Sequence, residues 1–287
     1  MFLPGILGLH NVEVRTIRGL HLADNEMGWT PAEVRNLVSA HRSFPSFCEA
    51  YFARPLARYG KVHWAEKTPA NVLQFGAFMK AFEESHIIHI TRSPYDTVAS
   101  LIARGMSAYE AASVYLLYTS HGLAAREMHG YIEVRYESLV QNSAVTLDTE
   151  VLQSLGLEYT ESMLAEGNPG MTGISRMQGW RSDEVAAVSG RSQGRYFDEP
   201  EDMQALIAMS LLCVRIAKRY RDQYRLQHDT IEKICAALNY PYYRNSAGSQ
   251  HLPALQRDRR QILRRHWFCR LASPASEYPV VLDLLRK

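Results

Sequence analysis

Two polar clusters in the first third of the chain carry residue types suited to one kind of chemistry. Glu66-Lys67-Thr68-Pro69 follows the short apolar run Lys61–Ala65, and Arg92-Ser93-Pro94 follows Ile87–Ile90. Each cluster places a cation where a helix is expected to begin. Helix amides and a cationic side chain together suit a phosphate or a sulfate. Glu66, beside Lys67, adds a carboxylate that could accept a proton or simply pair with a cation. For Lys67 the plain alternative is a surface lysine. His63 and His89 fall within the two expected strands, where a packed core histidine is the expectation.

The elements that must position these residues follow from pattern. Short apolar runs flanked by breakers read as buried parallel strands, and ligands of open α/β sheets sit at the carboxyl ends of such strands. Strands are therefore expected over Lys61–Ala65, Ile87–Ile90 and Tyr131–Tyr136, with a crossover helix over Asn71–Glu84. Thr30-Pro31-Ala32-Glu33 is a helix start, with Thr as cap and Glu three residues on. Phe44–Tyr59 reads as a second helix, with Pro55 expected to kink it. Further helices are expected over Ser107–His129, Ala144–Leu155 and from Glu199 to about Tyr224. Glu166–Gly194, rich in Gly, Ser and Met, reads as a long loop.

EKTPANVLQF, followed by HIIHITRSPYDTVASLIARG, resembles the nucleotide-dependent sulfotransferases, whose donor is 3′-phosphoadenosine 5′-phosphosulfate (PAPS). The resemblance extends to VRYESLV (Val134–Val140) and SGRSQGRY (Ser189–Tyr196). It covers roughly residues 1–240, and the combination of segments makes it specific. It implies a three-layer parallel α/β, P-loop-like fold and sulfuryl transfer to a hydroxyl or amine. In that family an Arg and a Ser eight residues later hold the 3′-phosphate, which maps to Arg92 and Ser100. Arg104 matches a further phosphate contact of the protein-tyrosine branch, Tyr136 a cofactor contact, and Arg195 a basic residue reaching over the cofactor. Arg191 is a weaker candidate of that kind; for both, a surface arginine is the alternative. Lys67 maps to the lysine that touches the sulfuryl group. Glu66 maps to the base of the heparan-type branch, although the protein-tyrosine branch takes its base elsewhere. Ser93 replaces the commoner Asp of that turn, which leaves the phosphate donors untouched.

The family begins with a strand and a loop that wraps the 5′-phosphosulfate. No glycine-rich loop ending in Lys-Ser/Thr or Arg-Ser-Gly-Thr occurs in this sequence, which also disfavours a P-loop kinase. A mis-assigned start, a fragment and a degenerate relative are open explanations. The corresponding rival function is a non-catalytic nucleotide-binding or interaction protein. With the first strand missing, an exposed strand edge or groove is expected, and the chain could dimerise through it.

Composition adds bounds. With 287 residues, 46% hydrophobic and 22% charged, one domain (1–240) with a C-terminal extension (241–287) is the simplest organisation. The net charge of +2 gives no ground for nucleic-acid or membrane binding. RDRRQILRRHWFCR (Arg257–Arg270) reads as a basic helix, either a solvated face or an acidic-partner surface. Tyr278–Leu284 has some strand character, but its Pro279 disfavours a central place. The four cysteines show no metal spacing and read as buried free thiols. No metal is expected, no run spans a bilayer, and no signal peptide is evident, so a cytoplasmic protein is the expectation.

Overall fold

A computed structural model describes residues 27–67, 69–165, 193–243, 251, 253–258 and 260. They fall into two compact units, one within residues 27–85 and the other made of 86–165 with 193–260. Arg191, Thr68, the segment before residue 27, most of the 166–194 loop and of the basic stretch, and Tyr278–Leu284 lie outside the described residues.

In the first unit, helix α1 (Pro31–Ala40) begins as its sequence requires. The Thr30 hydroxyl accepts the Glu33 N–H while Glu33 Oε2 accepts the Thr30 N–H at 2.8 Å, which satisfies donors at the start of the helix from both sides. Helix α2 (Phe44–Tyr59) has the expected limits, capped by Ser43 and ended by Gly60 in the left-handed region at φ 59°. Phe47 and Tyr51 from α2 pack with Trp29 and Val34 to form the core of this unit. The Arg54 guanidinium lies 3.5 Å above the Trp29 ring and reaches the Gly28 carbonyl and Glu33.

Two expectations fail here. Lys61–Ala65 is irregular rather than a strand, and Val62 is 84% exposed. Among the described residues no ladder reaches this segment, and an extended segment without a partner leaves its backbone groups to water. What orders it is a side chain: the Trp64 ring stacks on Phe52 at 4.2 Å and meets Phe78 and Phe82 edge-on. The crossover helix forms only in part, as a 3-10 turn over Pro69–Gln74 followed by helix α3 (Phe75–Ala81).

In the second unit, β1 (Ile87–Thr91) and β2 (Tyr131–Arg135) run parallel, with Ile87 opposite Tyr131 and Thr91 opposite Arg135. The period of two sends Ile87, His89, Thr91, Tyr131, Glu133 and Arg135 to one face. The other face carries Ile132 and Val134, packed by Val151, Leu139, Leu147 and Leu155, together with Ile88 and Ile90, both roughly half exposed. Among the described residues the sheet has these two strands, so β1 is paired along one edge.

Helices α4 (Pro94–Ala103) and α5 (Ala108–Ala124) connect the strands. α5 ends earlier than His129 and lies close to β1 at Gly122, where a Cβ would collide with the His89 ring. Helix α6 (Tyr136–Gln141) starts as soon as β2 ends. The helix expected over Ala144–Leu155 is a short turn at Ser143–Thr146, a wide π segment at Leu147–Leu152 and a 3-10 turn at Gln153–Leu155. The one helix expected from Glu199 to Tyr224 is two, α7 (Glu201–Cys213) and α8 (Lys218–Tyr224). Buried, β-branched Val214 and Ile216 lie at the break, where the Ile216 N–H bonds to Asp229 and Arg215 bridges Thr230. Thr230 then caps α9 (Ile231–Leu238). Cys48 and Cys235 are buried free thiols, each pushed up to about 12 by burial first and by a nearby carboxylate second. Cys213 departs from expectation and is exposed.

Candidate functional site

Arg92 occupies the first position after β1, and α4 begins two residues later with Pro94. Proline holds the preceding Ser93 extended and supplies a first-turn residue that needs no N–H partner, so strand passes to helix in one step. The loop backbone is pinned from two sides, and its arginine side chain rests on a third group. The Tyr115 hydroxyl of α5 donates to the Arg92 carbonyl at 3.0 Å. The Ser93 N–H donates to Glu137 Oε1 of α6 at 3.0 Å, and Glu137 Oε2 accepts the Tyr240 hydroxyl at 2.7 Å. The Arg92 guanidinium carbon lies 4.6 Å from the centre of the Tyr136 ring.

Burial draws Arg92 below the usual arginine value, opposed by the negative charge of Asp96 and the groups at Tyr136 and Glu137, and reinforced by Arg195. An arginine keeps its proton nonetheless. The result is a partly buried cation with a like charge close by, at the mouth of a parallel strand and the start of a helix. A multiply charged anion would relieve both the desolvation and the repulsion.

Of the other expected nucleotide residues of this unit, Tyr136 and Arg195 lie near Arg92, whereas Ser100 and Arg104 lie further along α4. Ser100 is half-buried on α4, one helical turn beyond Asp96. Arg104 caps the carboxyl end of α4 and is exposed. Tyr136 opens α6 beneath Arg92. Arg195 starts a 3-10 turn, Arg195–Asp198, with its Nε 3.7 Å from Glu199.

Glu66 and Lys67 belong to the first unit. Lys67 is exposed and Glu66 half-buried, with Oε2 of Glu66 accepting from the Asn71 side-chain amide. His63 is exposed and stands outside any strand. His89 in β1 is a packed histidine: burial holds it down to about 4, with Arg126 adding to that and Glu133 opposing, and its Nδ1 lies 2.6 Å from the Tyr131 hydroxyl. Among the described residues no group of His, Cys, Asp and Glu is arranged to hold a metal ion.

Sequence reasoning missed Asp96, Tyr115, Glu137, Tyr240 and Asn71, of which Asp96, Tyr115 and Glu137 brace the backbone around the candidate residues, Tyr240 braces Glu137, and Asn71 bonds the Glu66 carboxylate. Three gave a local signal: Asp96 four residues after Arg92, Glu137 next to Tyr136, and Asn71 five residues after Glu66.

Parallel strands, with a cation-bearing loop opening a helix at the carboxyl end of one, define an α/β protein whose loop stands where ligands of such sheets usually sit. The model of the sulfotransferase family matches residues 15–161, just over half of the chain, and the chain belongs to that family. The match spans Glu66, Lys67, Arg92, Ser100, Arg104 and Tyr136 and ends before Arg195. The family implies a P-loop-like α/β fold; the described residues are mostly helical, with a small parallel two-stranded sheet in the second unit. No curated protein and no solved structure matches the chain.

Proposed function

We propose that the chain is a PAPS-dependent sulfotransferase that transfers a sulfuryl group to a hydroxyl or amine acceptor without a metal. The observation that carries this reading is Arg92, partly buried over Tyr136 within electrostatic reach of Arg195. Such a cluster fits the 3′-phosphate of a nucleotide better than a neutral ligand, because an anion gains favourable charge interactions with both arginines. In this reading Arg92, Ser100, Arg104, Tyr136, Arg195 and Arg191 hold the nucleotide. When bound, PAPS supplies the activated sulfuryl group. Lys67 stabilises the negative charge that develops during transfer, and Glu66, oriented by Asn71, takes the proton of the acceptor. The catalytic domain is residues 1–240 of a three-layer fold, with 241–287 as a basic extension, and the protein works in the cytoplasm.

Titration with adenosine 3′,5′-bisphosphate tests the site. Binding is expected, and Arg92→Ala should weaken it by about 1.5–3 kcal/mol, the range for a lost hydrogen bond to a charged group. Equal binding by parent and variant would overturn the assignment. Incubation with PAPS and a panel of peptide, carbohydrate, lipid and small hydroxyl acceptors then tests turnover. Binding without any sulfated product would favour the non-catalytic nucleotide-binding reading.

A further inference from the structure

Asp96 stands in the first turn of α4 and is only 5% exposed. A carboxylate so far from water needs hydrogen-bond donors. It finds them about a hundred residues along the chain. Its Oδ2 accepts the N–H of Gly194 at 2.9 Å, and its Oδ1 accepts the N–H of Tyr196 at 2.9 Å. Those two residues flank Arg195, so one carboxylate grips the backbone on both sides of that arginine.

The surroundings make the grip specific. Gly194 lies in the left-handed region at φ 75°, with open space where a Cβ would project, which turns the chain so that its own N–H and that of Tyr196 converge on one side chain. Tyr196 is 4% exposed, and its ring packs 5.0 Å from that of Tyr95, the residue before Asp96. The Tyr95 hydroxyl in turn accepts the Tyr243 N–H at 2.8 Å. A bare carboxylate beside a phosphate site would repel the ligand. Two amides and the nearby Arg92 compensate this one, and the amino end of α4 favours it further.

We infer that Asp96 is a positioning residue of the nucleotide site: by binding the amides on both sides of Arg195, it holds that arginine at the first turn of the helix that follows Arg92. The inference rests on the nucleotide reading above and assigns Asp96 no contact with the ligand. It makes Asp96 and Arg195 one functional unit, so their substitutions should not add.

A double-mutant cycle read by calorimetric titration with adenosine 3′,5′-bisphosphate tests this. Arg195→Ala should weaken binding on the order of 10-fold, the lower range for a lost charge-assisted contact. Asp96→Ala should cause a comparable loss in the parent and less than about a 2-fold further loss in the Arg195→Ala background. Asp96→Asn, which keeps one acceptor oxygen, should fall between parent and Asp96→Ala. Should Asp96→Ala fail to fold, Gly194→Ala runs the same cycle, since it strains the same turn from an open position and should likewise lose its effect once Arg195 is gone. Equal losses from the Asp96 or Gly194 change with and without Arg195 would overturn the inference while leaving the nucleotide site standing. A parent that does not bind the bisphosphate would overturn both together.

Discussion

Arg92, Glu66 and Lys67 stand out as candidates from type and neighbours, because a charged residue beside an expected strand end or helix start is a local feature. Asn71 apart, the residues that brace these candidates could not be paired with them in this way. Asp96 meets its partners 98 and 100 residues away, and Glu137 meets Ser93 and Tyr240 at separations of 44 and 103. No window of sequence contains both ends of such bonds. Roles at this scale can be separated by kinetics in turnover with PAPS. Lys67→Ala should lower kcat more than it raises the KM for the nucleotide, since a bond to developing charge is stronger in the transition state than before it. Glu66→Gln should lower kcat by about 100-fold or more if the carboxylate is the base. A severalfold loss would leave Glu66 orienting its neighbours without moving a proton.

Local rules succeeded for elements whose ends are closed by their own residues. The Thr30–Glu33 box and the Ser43 and Gly60 caps mark α1 and α2 within a few positions. They failed where an element depends on a partner. Lys61–Ala65 has the composition of a strand but no ladder among the described residues, and Val214–Ala217, between two helical stretches, bonds across to Asp229 and Thr230. The contact of α5 with β1 is of the same kind. Its closeness depends on Gly122, whose missing side chain makes room for the His89 ring. Gly122→Val should therefore force the helix and strand apart and lower stability by about 1–3 kcal/mol, the usual range for overpacking. Urea denaturation followed by circular dichroism measures this, and an unchanged midpoint would show that the helix lies less tightly on the strand than the geometry requires.

At the scale of the whole molecule, buried histidines tie stability to pH. Burial holds both His89 and His121 down to about 4 from an ordinary 6.5, with Arg126 adding to the effect at His89 and Glu133 opposing it. The unfolded chain binds these protons first as pH falls. Their stabilisation is thus complete above about pH 6.5 and is lost between 6.5 and about 4, by about 1–2 kcal/mol per histidine between pH 7 and pH 5. Glu33, held down to about 2 chiefly by its bond to Arg54, loses its share only below pH 4.5, outside this window. Urea midpoints at pH 7 and pH 5 should show the fall, and His89→Gln or His121→Gln should flatten it; a midpoint indifferent to pH in this interval would mean that neither ring is held neutral by the fold.

The sequence by itself determined the family, the cation-bearing turn at Arg92, the capped helices α1 and α2 and the strands β1 and β2, because each depends on residue types within a few positions of one another. Tertiary structure alone decided that Tyr136 lies under Arg92, that Asp96 grips both sides of Arg195, and that Trp64 joins an aromatic core in place of a strand. Those contacts join residues far apart in the chain, and their free energy exists only once packing has brought both partners out of water.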